Sequence, residues 1–249
     1  MALKFMKTLE ITVPVYNEEV DIPKNIPILY DFCRENLKGY DWKIVIVDNA
    51  SQDGTWQKIE ELLKKHPDKI SGLKLGRKGR GWALRNAWKK SSADYVSYMD
   101  IDLSSDINYF PKMLAKLDNG YDLIAGSRNK KESQVIGRTL LRKVISKTYI
   151  ALVKIIHQTK VSDTQCGFKA LRREYFLRIE PLIENNLWFF DSEMIIIMEK
   201  AGFKVVDMAI RWVDDRNTTV KIMKDSWEEF SGLVRLFRNK PWKKLKTKK

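Results

Sequence analysis

The run Lys43–Val47 constrains the fold of this chain more than any other segment. Its sequence, KIVIV, is nearly unbroken in β-branched residues, which is typical of a strand buried on both faces of a parallel sheet. Other strand-like runs and helical stretches alternate along the first half of the chain: strands at Leu9–Val15, Leu73–Leu75 and Asp94–Met99, and helices at about residues 18–37, 55–65 and 81–90. This order predicts an α/β fold with a single doubly wound, mostly parallel sheet and helices on both of its faces.

Two carboxylates directly follow the last of these strands. In the segment SYMDIDLSSD, Asp100 and Asp102 stand one residue apart at the end of an apolar run. Two like charges at the end of a buried strand are unfavourable unless a cation joins them. Mg²⁺ suits such a place, because it typically takes one or two protein carboxylates together with substrate phosphates. The pair is therefore a candidate metal site, although the same spacing also occurs in solvated turns.

The composition excludes several classes of protein and favours an anionic partner. The chain is 44% hydrophobic and can bury a substantial core. Its 46 Lys and Arg residues against 32 Asp and Glu residues give a net charge of +14, which indicates nucleic acid, an acidic membrane or a phosphorylated substrate, or else a basic solubilising surface. Two cysteines and two histidines argue against a disulfide framework and a His-rich zinc site. Without a signal peptide or a long apolar stretch, we expect a soluble or peripheral protein of the reducing cytosol.

Three unusual segments fall at the expected carboxyl ends of strands, where ligands of doubly wound sheets bind. They are PVYNEE at residues 14–19, DNASQDGT at residues 48–55, and the carboxylate pair at residues 100–102. Their convergence predicts a ligand site at this edge. The first segment also suits a helix start, because Asn17 is followed by two acidic residues.

Six motifs occur in a fixed order along the chain: PVYNEE, VDNASQDGT, MDIDLSSD, GSR at 126–128, DTQCGFKAL at 163–171, and WFFDSE at 188–193. Together they resemble the inverting family-2 glycosyltransferases of GT-A fold, and in particular the dolichyl- or polyprenyl-phosphate glucose and mannose synthases. The resemblance extends over about residues 9–237. It implies one GT-A domain over residues 1–239, and we expect the lysine-rich end, residues 240–249, to be disordered.

The resemblance also implies a role for particular residues. Asp102 would bind Mg²⁺ or Mn²⁺ at the donor diphosphate, and Asp100 would share the metal or hold the ribose. Arg128 and Arg216 would surround the phosphates. Asp191 would orient the sugar or the metal, or it would simply cap its helix. The residues expected to contact the nucleotide sugar are Pro14, Tyr16, Asn17, Glu18, Asp48, Asp100, Gln165 and Lys169.

The expected reaction is the transfer of a hexose from a nucleotide sugar to polyprenyl or dolichyl phosphate. A phosphate monoester has its second pKa near ~6, so the acceptor needs no strong base. UDP-glucose is favoured over GDP-mannose, because WFFDSE and DTQCGFKAL resemble the glucose-type enzymes. In addition, Ser104 stands where many mannose-transferring relatives have the glutamine of D-A-D-x-Q. One alternative is transfer to a sugar or protein hydroxyl with Asp191 as general base. A more distant one is a nucleic-acid-binding protein, which would need exposed aromatics among its basic residues.

Two apolar stripes at helical spacing bear on membrane binding. Residues 137–157 carry one such stripe flanked by arginines and lysines, as in a helix that lies on an anionic bilayer, although the stripe also suits packing on the core. The second stripe consists of Trp227, Phe230, Val234 and Phe237, and we expect it to pack on the core. The lysine-rich end would add attraction to an acidic surface. These features predict a peripheral protein on the cytosolic face of a membrane.

Overall fold

The computed structural model of the protein describes residues 6–214 and 222–245. Its strands, numbered in chain order, are β1 (Lys7–Val15), β2 (Tyr40–Asn49), β3 (Ile70–Leu75), β4 (Tyr95–Met99), β5 (Leu123–Ser127), β6 (Gln134–Ile136), β7 (Phe168–Arg172), β8 (Val205–Ala209) and β9 (Arg211–Val213). Its α-helices are α1 (Asp21–Asn36), α2 (Thr55–Lys65), α3 (Arg80–Lys90), α4 (Phe110–Asp118), α5 (Leu140–His157), α6 (Arg173–Ile179), α7 (Phe190–Lys200) and α8 (Ile222–Asn239).

Seven of these strands form one sheet in the order β3-β2-β1-β4-β7-β5-β8. Neighbours pair in parallel except at β7, which runs antiparallel to both β4 and β5. The expected α/β class and the mostly parallel sheet are confirmed. A separate pair of short parallel strands, β6 and β9, was not expected from the sequence. Each has only three residues, which is too short for a periodic pattern to reveal.

Apolar clusters cover both faces of the central sheet. Ile44 and Ile46 of β2 belong to a cluster with α1 and α4, whereas Val47 belongs to a second cluster with α3 and α7. Ile44, Ile46 and Val47 of the run are thus buried, on the two faces of the sheet, as the composition of the run predicts, whereas Lys43 is exposed. Strand β2 continues beyond this run to Asn49, so Asp48 lies in the strand and not in the turn that its neighbours suggested.

The apolar side chains of α5 divide between the core and the surface. Its residues Tyr149, Leu152 and Ile156 pack against the second cluster, whereas its first turns expose apolar side chains. The most exposed apolar residues of the helix are Leu140, Leu141, Val144 and Ile155. None of the helices in the described ranges combines the length and hydropathy needed to span a bilayer.

The expectation that the stripe on α8 packs on the core is wrong. Trp227 is 71% exposed, and Phe230, Val234 and Phe237 are exposed as well. The side of α8 that packs inwards carries Leu233 and Leu236 instead, which are three residues apart. This second and shorter apolar pattern is therefore the one that faces the core. Helical spacing alone did not distinguish the two.

The lysine-rich end also differs from the expected disordered tail over its first residues. Pro241–Lys244 form a 3₁₀ turn in which Pro241 is buried. The Trp242 ring lies edge-on to His157 at 6.3 Å, so an aromatic contact joins this turn to the end of α5. Residues 246–249 lie outside the described residues.

Candidate active site

The first two predicted loops meet at one edge of the sheet. Parallel pairing of β1 with β2 sets Val15 beside Asp48. Beyond the strands, the Asn17 backbone N–H donates to Ser51 Oγ at 3.0 Å, and Asn17 Oδ1 accepts from the Gln52 N–H at 2.9 Å. Asn17 is in the left-handed region with φ of 57°, and α1 starts only at Asp21, so Asn17 joins the two loops and does not cap the helix.

Asp48 lies at the base of this double loop with an unsatisfied oxygen. It is fully buried, and its Oδ1 accepts from the Ser51 N–H at 2.9 Å. Its Oδ2 is buried with no hydrogen-bond partner. Such an oxygen is unfavourable unless a donor reaches it. The carboxylate therefore suits a ligand N–H or O–H group, as a nucleoside would provide.

A basic loop lies next to these segments. Lys78 Nζ is 3.3 Å from the centre of the Tyr16 ring, and the Gly79 N–H donates to Asn49 Oδ1 at 3.0 Å. The next residue, Arg80, begins α3 and donates from Nη2 to Asp100 Oδ1 at 2.8 Å. The sequence offered no reason to single out Arg80 within the segment RKGRG.

The Asp100 carboxylate at the end of β4 is held on two sides. Arg80 pairs with it, yet 42% of the Asp100 side chain stays exposed. On the other side lies Gly167, where an added Cβ would be 2.6 Å from Asp100 Cγ and 2.6 Å from Arg80 Nη2. Only a glycine leaves room for this arrangement.

The neighbouring carboxylate and hydroxyl complete a possible metal site. Asp102 Oδ1 accepts from the Ser104 N–H at 2.9 Å, and Ser104 Oγ is buried without a hydrogen-bond partner. Within the described ranges, no three His, Cys, Asp or Glu side chains cluster as a metal cage. Two carboxylates and one unsatisfied hydroxyl fit a hard cation such as Mg²⁺ or Mn²⁺ that takes its remaining ligands from phosphate and water.

Behind Asp100 lies a buried layer that includes two predicted site residues. Lys169 is fully buried and Asp191 is 2% exposed. Lys169 Nζ contacts Asp191 Oδ1 at 2.9 Å, the Tyr98 hydroxyl at 3.0 Å and the Cys166 carbonyl oxygen at 2.6 Å. The Tyr98 hydroxyl donates to the same Asp191 oxygen. Burial and then the charge of Asp191 raise the pKa of Tyr98 well above its ordinary value, so Tyr98 stays a donor.

This layer corrects the expected roles of Lys169 and Asp191. Lys169 does not reach the crevice, because its ammonium is surrounded by buried oxygens. Asp191 Oδ2 also lies 3.6 Å from Arg80 Nε. Asp191 therefore orients the cations behind Asp100, and in this arrangement it has no open side on which to act as a base.

A second cationic cluster surrounds Trp212. Arg128 donates from Nε and Nη2 to the two Asp163 oxygens at 2.7 and 3.1 Å. The guanidinium carbons of Arg128 and Arg138 lie 5.5 and 6.0 Å from the centre of the Trp212 ring. Arg142 pairs with Asp214 at 2.8 Å. Arg216, predicted to belong here, lies outside the described residues.

Arg138 is the member of this cluster that the sequence did not reveal as a site residue. Within the described part of the chain it makes no ion pair, in contrast to Arg128 and Arg142. Burial and then the nearby Arg128 charge lower its pKa. Burial alone would lower the pKa of Arg128, but the pKa is raised, mainly by Asp163 and to a smaller extent by the charge of Asp100. The cluster is thus electrostatically linked to the carboxylate pair and can accept an anion.

Gln165 lies between the two clusters and turns towards α8. Its backbone N–H donates to Asp163 Oδ1 at 3.1 Å, and its Nε2 donates to Glu229 Oε1 at 2.9 Å. Its amide is therefore engaged by the protein, which differs from the expected contact with the nucleotide sugar.

Comparison with known proteins shows the family of this chain. Residues 10–179 match the family model described as Glycosyl transferase family 2. The dolichyl-phosphate beta-glucosyltransferase of Dictyostelium discoideum is 26% identical over 92% of this chain and 73% of its own length. The dolichol-phosphate mannosyltransferase of Pyrococcus furiosus is 33% identical over 80% of this chain and 55% of its own length. The chain spans only 35% of a further curated relative.

The fold has relatives among solved structures. The mannosyltransferase PcManGT of Pyrobaculum calidifontis, solved with GDP-Man and Mn²⁺, superimposes with a TM-score of 0.60. It is 17% identical, and the match covers 98% of this chain and 66% of that one. The family match, the strand order and the position of the carboxylate pair lead to one conclusion: this chain belongs to glycosyl transferase family 2 and is a glycosyltransferase of GT-A fold.

Proposed function

We propose that this protein transfers a hexose, with inversion, from a nucleotide sugar to polyprenyl or dolichyl phosphate at a membrane surface. UDP-glucose is the preferred donor in this proposal and GDP-mannose the next. The observation that carries it is the half-buried Arg138, which lies beside Arg128 and forms no ion pair with any residue of the described ranges. A phosphate is the acceptor group that such a cluster would select, because guanidinium groups bind phosphate oxygens in a bidentate manner.

The proposed transfer requires the protein mainly to neutralise charge and to align the reacting groups. An oxygen of the ionised acceptor phosphate forms a bond to C1 of the hexose while the bond from C1 to the nucleoside diphosphate breaks on the opposite face. The acceptor already carries the electron pair, so no residue needs to remove a proton. Arg128 and Arg138 would hold the acceptor phosphate near C1. The open Asp48 oxygen would receive a donor group of the nucleoside.

Asp100 and Asp102 would hold Mg²⁺ or Mn²⁺. When bound, such an ion would neutralise the charge that develops on the leaving diphosphate. Arg80 would keep Asp100 oriented, and the buried pair of Lys169 with Asp191 would support Arg80 from behind. Asp100 would thus be oriented by charge pairs that exist before any ligand arrives.

The hydroxyl-acceptor alternative fits less well. It needs a carboxylate with an open side and access to the acceptor, whereas Asp191 is bonded to Tyr98 and Lys169 and nearly fully buried. Geometry comes before pKa in the choice of a general base. A second observation also favours a lipid acceptor. Helices α5 and α8, which pack side by side through the His157 Nε2 to Leu233 carbonyl contact at 3.0 Å, both expose apolar side chains.

Through these exposed side chains the protein would bind peripherally to the cytosolic face of an anionic membrane. Leu140, Leu141 and Trp227 are exposed on the two helices, and on α5 Arg142, Lys143 and Lys147 lie among the exposed apolar residues. Flotation with vesicles of neutral and of anionic lipid tests this part. Replacing Leu141 and Trp227 together by serine should abolish flotation, whereas Val20→Ser should not, because Val20 is an equally exposed residue at the start of α1. If the doubly substituted protein still floats with the vesicles, membrane binding through these side chains is contradicted.

The transfer itself is tested by a donor screen. The purified protein is incubated with Mn²⁺ or Mg²⁺, polyprenyl phosphate in detergent and radiolabelled UDP- or GDP-sugars, and lipid-linked label is extracted. We expect label in the lipid phase from UDP-glucose, a loss of at least about 100-fold in Arg138→Ala, and partial recovery in Arg138→Lys. Arg34→Ala, which alters an exposed arginine of α1, is the matched control. Donor turnover with label on a hydroxyl acceptor and none on lipid would refute the lipid-phosphate reaction. Binding of nucleic acid without any donor turnover would refute the enzyme altogether.

A further inference from the structure

Glu229 is a buried acid that the proposed reaction does not use. It lies on the inner side of α8 and is 4% exposed. Four parts of the chain meet around it: α8 itself, α5 through Tyr149, α7 through Ser192, and the loop 163–167 through Gln165. The Tyr149 hydroxyl, which interacts with Glu229, donates to Ser192 Oγ at 2.7 Å.

The surroundings of Glu229 favour its neutral form. Oε1 receives one hydrogen bond, from Gln165 Nε2, and Oε2 is buried with no hydrogen-bond partner. The charged groups that face it are acidic, namely Asp191 from α7 and Glu228 from its own helix, while α5 and the loop contribute the neutral Tyr149 and Gln165. Burial first, and then these two acids, raise the pKa of Glu229 to about 7, although hydrogen bonding with Tyr149 and Gln165 acts in the opposite direction. No cation faces the carboxyl group among the described contacts that set this value.

A chain of contacts runs from Glu229 to the acceptor cluster. Glu229 holds the Gln165 side chain, the Gln165 backbone N–H donates to Asp163, and Asp163 pairs with both ends of the Arg128 fork. The same loop ends in Gly167 against Asp100. A change at Glu229 therefore reaches both groups of charges through one loop.

We propose that Glu229 in its protonated form is a positioning residue for the acceptor phosphate: it fixes the loop 163–167 through Gln165, and its ionisation releases that loop. An ionised carboxylate would still accept from Gln165, but it would lie buried beside two other acids. Its ionisation would therefore favour an opened arrangement in which water enters between α8 and the loop. The inference rests on the proposed function for the identity of the acceptor. The donor loops at residues 16–19 and 48–55 do not contact Glu229, so donor binding should not follow its ionisation.

The kinetic test compares the wild type with Glu229→Gln from about pH 6 to about pH 8.5. If only the protonated form binds acceptor well, its population at about pH 8.5 is about 3%, and the acceptor KM of the wild type rises about 30-fold relative to the variant. The donor KM should change in parallel in both proteins. Gln165→Met should raise the acceptor KM at every pH and remove its dependence on Glu229. Glu10→Gln is the matched control, because Glu10 is a buried acid of β1 with a raised pKa, caused first by burial, and bonds to Thr12 instead.

Hydrogen exchange of the loop gives a second readout that needs no activity. After correction for the intrinsic rate, protection of the amides at residues 163–167 should fall with pH in the wild type and in Glu10→Gln, but not in Glu229→Gln. Parallel pH profiles of acceptor KM in wild type and Glu229→Gln, or protection that does not respond to pH, would overturn the proposal. If no donor is turned over at all, the proposed function fails, while the exchange measurement still decides the role of Glu229.

Discussion

Replacing Gly167 by alanine tests whether the place of the Asp100 carboxylate determines activity. The added Cβ would lie 2.6 Å from Asp100 Cγ, whereas carbon atoms in contact prefer about 3.5 Å or more. Asp100 Oδ2 would lie closer still, so Asp100 must move by at least about 1 Å. A displacement of about 1 Å in a positioned group can lower a rate about 100-fold. We expect kcat of lipid-linked transfer to fall by about that factor, with a loss of about 1–3 kcal/mol in the free energy of unfolding.

The assay separates displacement from general damage. The rate is measured at saturating donor and acceptor, and the affinity for Mn²⁺ is measured by calorimetry in the presence of UDP. Gly39→Ala is the control, because its added Cβ would meet no atom within 4 Å. If Asp100 transmits the effect, Gly167→Ala should cost nothing further in an Asp100→Ala background. A folded Gly167→Ala protein that keeps its rate within about threefold would refute the reasoning.

Three further outcomes follow from the same structure. Asp191→Asn leaves the buried Lys169 without its ion-pair partner, so the free energy of unfolding measured in urea should fall by about 3–5 kcal/mol, and a loss below about 1 kcal/mol would contradict this. Burial raises the pKa of Cys33 to about 12 and that of Cys166 to about 11. Both thiols should therefore react with a disulfide reagent only after the protein unfolds, and rapid reaction in the native protein would contradict their burial. Removal of divalent metal with EDTA should abolish transfer, and added Mn²⁺ or Mg²⁺ should restore it. The Asp102→Asn variant should remain inactive at any metal concentration. Transfer that persists in EDTA would exclude the metal site.

The part of the fold that follows from local pattern was predictable. The β-branched run at Lys43–Val47 and its neighbours determine the parallel half of the sheet, because strands buried on both faces have few other solutions. The antiparallel position of β7 was not predictable, since its pairing depends on contacts between residues far apart in the chain. The two interpretations of the stripe on α8 differ only in which side of the helix meets the core, and this depends on the shape of its neighbours.

The residues of the candidate site likewise divide into those that the sequence predicts and those that it does not. The sequence predicts the residues that follow strands, such as Asp48 and Asp100, because sheet topology alone brings them to one edge. It does not reveal Arg80 or Glu229, which reach the site from helix ends and helix faces. It also misjudged Lys169, because alternation along β7 does not tell that Lys169 is buried against an acidic partner, Asp191, on α7. Burial of a charged pair depends on the partner, and the partner is far away in sequence.

The antiparallel strand β7 has a consequence for how such an enzyme could change its acceptor. Ala125 near the end of β5 pairs with Lys169 near the start of β7, so the intervening chain leaves the sheet and returns to it at the same edge. That excursion carries Arg128, Arg138, α5 and the loop 163–167, whereas Asp48 and Asp100 lie outside it. It can lengthen, shorten or be exchanged as a unit without shifting the register of the seven-stranded sheet. The segment that we propose to face the acceptor is in this sense a replaceable module inserted beside the part that we propose to bind the donor.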